Sequence, residues 1–239
     1  IENNLINNQI DIAVHALKDM PSEEPEDLIT NCFLERNDPR EVLISKNNNQ
    51  IRNLKTNSVI GTSSLRREYQ LKRIRSDLKY KLIRGNVDTR IKKLNDDLYD
   101  AIILSYAGLK SLNIDEQISQ IFSTQEIIPS VGQGVVALQC RKNDKHTLDL
   151  LSKINHKKTS ICVNAERYLL KVLEGDCETA VGAFAYVEND VINLNAELFS
   201  IDGKQRFYHH SKKDIMLSKE LGLEVGGILK KVSKDSYKR

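Results

Sequence analysis

Between residues 58 and 104, short apolar runs that break at a glycine or a polar turn alternate with helix-like stretches. Ser58-Val59-Ile60 reads as a strand that stops at Gly61. Thr62-Ser63-Ser64 then offers three N-cap candidates for a helix reaching about Arg75. Residues 80–84 repeat the pattern, breaking at Gly85-Asn86 before a helix over 87–97, and Asp100 to Leu104 reads as a buried strand. Strands alternating with helices predict βαβ units and a parallel sheet. Each strand–glycine–helix junction also carries arginines: Arg66 and Arg67 at the first, Arg84 and Arg90 at the second. Free backbone N–H groups and the dipole of a helix N-terminus attract anions, and arginine forks pair with carboxylates or phosphates. In an open α/β sheet both junctions fall on the edge where ligands bind. The bland alternative is a pair of capped surface helices with solvated arginines.

The charge distribution supports a ligand. Net charge is only +3, yet residues 61–93 hold eleven Lys or Arg against Glu68, Asp77 and Asp88. Such an excess suits an anionic partner. Nucleic acid fits poorly, because the stretch has only Tyr69 and Tyr80 as aromatics and no DNA- or RNA-binding signature. No apolar run approaches the roughly 18 residues of a membrane span, so neither a nucleic-acid nor a membrane partner is expected.

The flanks complete the outline. Ile10, Ile12 and Val14 alternate as a strand leading into His15-Ala16-Leu17-Lys18-Asp19, a carboxylate and an ammonium just past a strand end. Strands are expected at 30–36, 41–45 and 134–140, and helices at 145–154 and 158–173, the last closed by Gly175 as a C-cap. Beyond it, strands at 180–187, 191–199 and 205–209 and a helix over 212–232 suggest a small α+β unit. Cys32, Cys140, Cys162 and Cys177 form no C-x-x-C and no zinc spacing with histidine, which favours reduced thiols, a cytoplasmic location and no metal. Cys177 lies in a turn between Asp176 and Glu178, neighbours that disfavour its thiolate. Ile1 and Leu5 stand at i and i+4 as though already inside a helix, so a segment is expected before Ile1.

Five segments in this order resemble the porphobilinogen deaminase (hydroxymethylbilane synthase) family: Asp11 to Pro21, Gly61 to Arg67, Arg84 to Arg90, Pro129 to Gly134, and Gly175-Asp176-Cys177. The likeness runs almost unbroken from Asp11 to about Gly182 and weakens after it. It implies two periplasmic-binding-protein-like α/β domains and a small C-terminal α+β domain. Domain 1 would comprise 1–36 and 130–155 without its N-terminal part, domain 2 the carboxylate-binding residues 37–129, and domain 3 residues 156–239 with the attachment cysteine. It also implies a transferase that condenses four porphobilinogens, with release of ammonia, into a linear tetrapyrrole. The chain would grow on a dipyrromethane cofactor held by a thioether to Cys177. Asp19 maps to the catalytic carboxylate, and Lys18, Thr62, Ser64, Arg66, Arg67, Arg84 and Arg90 to groups that hold the ring carboxylates. A monomer with porphobilinogen as its partner is implied. Three departures stand out: the family's N-terminal Arg/Ser pair and lysine-bearing loop are absent, Ser111 stands where an arginine is usual, and Ala16 where serine is common. The competing reading is a two-lobed binder of small anions without chemistry, which would have no use for Asp19 or Cys177.

Overall fold

The computed structural model describes residues 1–176 and 178–238. The chain runs α1 (Glu2–Ile6), β1 (Ala13–Ala16) and β2 (Leu28–Phe33), then β3 (Glu41–Ser45), β4 (Val59–Gly61), α2 (Leu65–Ile74), β5 (Lys79–Lys81), α3 (Val87–Asn95), β6 (Ala101–Ser105), α4 (Tyr106–Ser111) and β7 (Gln120–Ile121). It continues with β8 (Val136–Arg141), α5 (Lys145–Ile154), α6 (Lys157–Leu173), β9 (Val181–Glu188), β10 (Val191–Phe199), β11 (Arg206–Asp214) and α7 (Ser218–Ser233). No helix is long and apolar enough to cross a membrane among the described residues.

The strands form three sheets. In the first, β8 lies between β1 and β2 and is antiparallel to both, with Ala13 opposite Gln139 and Ile29 opposite Cys140. The chain therefore leaves this sheet after β2 and re-enters it about a hundred residues later. Leu17, Phe33, Ala137 and Val163 pack together beside it.

The second sheet has the order β5-β4-β6-β3-β7. Its character is mixed, not parallel throughout as the strand–helix alternation suggests. β5, β4 and β6 are parallel, but β3 pairs antiparallel with both β6 and β7. β3 carries the chain in from the first sheet and β7 precedes its return, so the arriving and departing strands lie side by side. Both faces of this sheet are buried. Leu43, Ile60 and Ile103 join Leu71 of α2 on one side. Val42, Ile44, Ile102 and Leu104 join Ile91 of α3 and Leu109 of α4 on the other. Alternate residues of a strand point to opposite faces, so a strand covered on both faces reads as an unbroken apolar run.

The third sheet is the meander β9-β10-β11, with α6 and α7 packed together beside it. A Cβ at Gly222 would stand 2.2 Å from the carbonyl of Ala165, and one at Gly226 3.0 Å from that of Leu169, so these glycines let α7 approach the backbone of α6. Here the sequence reading needs correcting. β11 extends to Asp214, pairing with β10 from Phe199–Arg206 to Val191–Asp214, and the last helix starts at Ser218 instead of 212. The polar run His209 to Asp214 has no strand signature of its own. The nine-residue ladder offered by β10 draws it into the sheet, and its charged side chains protect an outer edge.

One buried carboxylate joins the units. Glu166 of α6 is fully buried. It accepts both Arg36 amino groups (2.8 and 2.7 Å), the Gly132 N–H (2.8 Å) and the Ala185 N–H (2.8 Å). Arg36 and Gly132 lie on the two segments that cross between the first and second sheets, so α6 grips both crossings. The second and third units also meet through α2. Tyr69 Oη donates to the Ile201 carbonyl at 2.6 Å, and Arg73 pairs with Glu197 at 3.0 Å.

Candidate active site

The first basic junction is built from inside the second sheet. Gly61 ends β4 where a Cβ would meet Tyr99 at 2.9 Å and Ile102 at 3.0 Å, so the requirement is room. Of the three cap candidates, Ser64 closes α2, its Oγ accepting the Arg67 N–H at 3.4 Å. Thr62 is buried and its Oγ1 accepts the Ser64 N–H at 3.1 Å, so it shapes the turn without lining the cleft described below.

Arg66 and Arg67, expected as free forks, are only 4% and 7% exposed. Both form ion pairs with Glu41, the fully buried first residue of β3: Arg66 Nη2 to Oε1 at 2.7 Å and Arg67 Nη2 to Oε2 at 2.8 Å. Arg66 Nη1 also donates to the Ile128 carbonyl at 2.8 Å. Burial pushes the Glu41 carboxyl up, but the charges and hydrogen bonds of Arg67 and Arg66 outweigh it and hold it at about 2. One acid between two arginines leaves the cluster net positive, and the Arg67 Nε is buried without a hydrogen-bond partner. Sequence reasoning missed Glu41. Its one signal was a charged residue opening the otherwise apolar Val42-Leu43-Ile44 run.

The second junction repeats the local design on the surface. Gly85 has φ +118°, a region that L side chains rarely adopt, and Asn86 caps α3 by accepting the Thr89 N–H at 3.0 Å. Arg90 donates from Nε to the Gly85 carbonyl at 2.8 Å and lines the cleft. Burial and then the nearby Arg67 charge lower its pKa, so the two junctions converge. Arg84 is exposed and does not line the cleft.

The third element is the turn after β1. Leu17 is buried against Gly132, where a Cβ would come within 2.6 Å of Leu17 Cγ and φ is +69°. That packing fixes the Leu17–Asp19 turn against the returning crossing. It presents Lys18 half-buried and Asp19 exposed, both on the cleft wall. Burial, followed by repulsion from Arg67, lowers the Lys18 pKa. Its ammonium makes no hydrogen bond or ion pair among the described residues. A carboxylate ligand would reverse both effects. His15 has a structural role, its Nε2 lying 3.1 Å from Gln139 Oε1.

The fourth element follows α6. Gly175 is not the left-handed cap that its sequence position suggests; Glu174 takes that conformation, with φ 53°. Gly175 is required for closeness instead, since a Cβ would meet Leu170 Cδ1 at 2.7 Å. Asp176 Oδ1 then accepts the N–H groups of Glu178 (2.9 Å) and Thr179 (3.0 Å), which folds the loop back on itself. Cys177, the expected attachment residue, lies outside the described residues.

These elements surround one cleft of about 650 Å³. Lys18 and Asp19 line it from the first unit, Ser63, Ser64, Arg66, Arg67 and Arg90 from the second, and Arg167, Gly175 and Asp176 from the third. Of the residues singled out in the sequence, it gathers Lys18, Asp19, Ser64, Arg66, Arg67 and Arg90, and leaves aside Thr62 and Arg84. It adds Arg167, which nothing local in the sequence marks. A dipyrromethane carries four carboxylates. A wall of five cations with a buried, unpartnered guanidinium nitrogen suits such a group.

Fold and site together define a mixed α/β protein with a cation-rich cleft between its units, whose wall also carries the exposed carboxylates of Asp19 and Asp176. Residues 1–149 match the family described as "Porphobilinogen deaminase, dipyromethane cofactor binding domain", and residues 160–231 match "Porphobilinogen deaminase, C-terminal domain". The porphobilinogen deaminase of Chlorobium phaeobacteroides is 42% identical over 214 residues, 90% of this chain and 68% of that protein. The one of Staphylococcus epidermidis is 41% identical over 233 residues, 97% of this chain and 75% of its own length. The chain belongs to the porphobilinogen deaminase family. Solved structures are matched more loosely. A YaeC-family lipoprotein from Enterococcus faecalis superposes with TM-score 0.46 at 13% identity, covering 71% of this chain and 78% of that one. An arginine-specific periplasmic binding protein from Salmonella typhimurium reaches TM-score 0.38 at 14% identity, over 64% and 66% of the two chains.

Proposed function

We propose that this chain is a hydroxymethylbilane synthase, a transferase that joins four porphobilinogens head to tail with loss of ammonia at each addition. The observation that carries this reading is the meeting on one cleft of Asp19, a set of cations and the Gly175-Asp176 loop that leads to Cys177. An anion binder without chemistry has no use for the exposed Asp19 carboxylate among those cations.

In each addition the C–N bond of the aminomethyl group breaks, and the electron pair leaves with nitrogen as ammonia. A C–C bond to the acceptor ring forms, and the attacked ring carbon then loses its proton. Asp19 serves all three events in turn. It hydrogen-bonds the leaving ammonium, faces the cation left on the substrate ring, and takes the final proton. Lys18, Ser64, Arg66, Arg67 and Arg90 hold acetate and propionate carboxylates; Arg84 and Thr62 serve from the margin, Thr62 by shaping the Ser64 turn. A dipyrromethane held through Cys177 would supply the acceptor ring for the first addition. Glu41 keeps Arg66 and Arg67 charged and aligned in a buried site where unpaired guanidinium groups would be costly.

We divide the chain into domain 1 (1–36 and 130–155), domain 2 (37–129) and domain 3 (156–239), in keeping with the three sheets. A reducing, cytoplasmic setting suits the free Cys32, Cys140 and Cys162. The test is a denaturing intact-mass spectrum of the natural protein and its Cys177→Ser variant. A mass excess equal to a dipyrromethane, lost in the variant, is the expected result. Natural protein without an adduct would overturn the reading.

A further inference from the structure

Among the described residues Arg167 is the one cation on the cleft wall that belongs to the third unit, and its position is firmly set. It follows Glu166, whose carboxylate is locked by Arg36, Gly132 and Ala185. Its side chain is 15% exposed, yet its guanidinium is poorly occupied. The nearest acid is Glu24, with Oε1 at 3.6 Å, and Nη1 reaches the Met20 carbonyl only at 3.5 Å. Glu24 is itself held through Oε2, which accepts the Thr30 N–H at 2.9 Å. A guanidinium carries five N–H donors, and two long contacts leave most of them unused. Arg36, by comparison, gives both amino groups to Glu166 at 2.8 and 2.7 Å. Burial weighs on the Arg167 charge more than Glu24 relieves it. A desolvated fork with spare donors on a cleft wall gains most from a carboxylate arriving in the plane of the guanidinium.

The contact with Met20 says which carboxylate. Met20 follows Asp19, so Arg167 lies against the turn that presents the reacting carboxylate. Ser111, whose Oγ donates to the Ala107 carbonyl at 2.8 Å, supplies no charge from α4. We propose that Arg167 binds a carboxylate of the incoming porphobilinogen at Asp19, forming a subsite that the third unit contributes to the cleft. This rests on the hydroxymethylbilane synthase reading of the cleft.

The test uses the full-length cofactor-bearing enzyme and the variants R167Q, R167K and E24Q, with adduct mass, thermal midpoint and steady-state kinetics measured on each. R167Q should retain the dipyrromethane mass and melt close to wild type, while its KM for porphobilinogen rises about tenfold or more. R167K should recover part of that loss. E24Q removes the competing carboxylate, so its KM should fall or stay the same. Equal losses in R167Q and E24Q would show a structural ion pair and overturn the proposal. So would adduct-bearing R167Q with unchanged KM, or loss of the adduct in R167Q and R167K alike. Wild-type enzyme without an adduct would instead overturn the reading of the cleft, and the subsite with it.

Discussion

The two basic junctions, Gly61 to Arg67 and Arg84 to Arg90, follow one local recipe and end in opposite environments. Each has a glycine, a side-chain cap and a helix with arginine nearby, although β4 runs up to Gly61 whereas β5 stops at Lys81, short of the 80–84 strand expected before Gly85. Ser64 and Asn86 cap their helices in the same way, by accepting the N–H three residues on. Yet Arg66 and Arg67 are buried, whereas Arg84 is exposed and Arg90 only half-buried. The difference comes from elsewhere in the chain. Glu41 on β3 and the carbonyl of Ile128 meet the first pair, and nothing comparable covers the second. A helix terminus is a local property, but whether its arginines form an interior clamp or stay at the surface depends on which distant acid lies behind them.

That contrast can be broken in several places. The largest effect is expected at Asp19, the carboxylate on the cleft wall proposed to do the chemistry. Asp19→Asn should lose roughly a hundredfold or more of turnover while keeping the fold and the affinity for porphobilinogen, as read by kinetics alongside a binding titration. Near-normal turnover would remove Asp19 from the chemistry and leave the junctions as an anion site alone.

Next comes the clamp. Glu41→Gln strips the countercharge from two buried guanidinium groups and should cost about 3–5 kcal/mol of stability, measured by urea unfolding. A loss near zero would mean that Arg66 and Arg67 are less enclosed than the structure indicates. The same pair has a pH signature. The Glu41 carboxyl is held at about 2, below its ordinary value of 4.5. Its contribution is therefore complete above about 4.5 and is lost as pH falls toward 2. The gap in thermal midpoint between wild type and Glu41→Gln should narrow over that range, and a constant gap would contradict the assignment.

Arg66→Lys should be intermediate. A lysine cannot span Glu41 and the Ile128 carbonyl in one plane, so both stability and KM should suffer, by about 1–3 kcal/mol in the unfolding measurement. The smallest structural effect is expected at the exposed junction. Arg84→Ala should change stability by no more than about 0.5 kcal/mol. Any rise in KM at that position then reports a ligand contact directly, and an unchanged KM removes Arg84 from the site.

Much of this was legible beforehand, for reasons that differ between elements. Helices α5 and α6 were placed to within a residue, because their apolar residues recur at helical spacing; the caps Asp144 and His156 came only with the structure. β3 and β6 were legible because a strand buried on both faces is an uninterrupted apolar run. Only the first part of β11 was, since the pairing of its polar continuation to Asp214 depends on a neighbour and not on its own side chains. The strand order that turns β3 antiparallel was also hidden, as nothing in Glu41–Ser45 records the direction of its partners.

The sequence alone therefore determined the capped helix termini, the buried strands, the cationic junctions and the Lys18-Asp19 turn, all of which depend on residues within a few positions of one another. Only the tertiary structure decided that Glu41 holds Arg66 and Arg67, that Glu166 ties α6 to both crossings, and that Arg167 joins the cleft. Those outcomes require groups 25 to 147 residues apart to meet away from bulk water, where an unpaired charge is costly to leave alone, and no local pattern encodes which partner will be there.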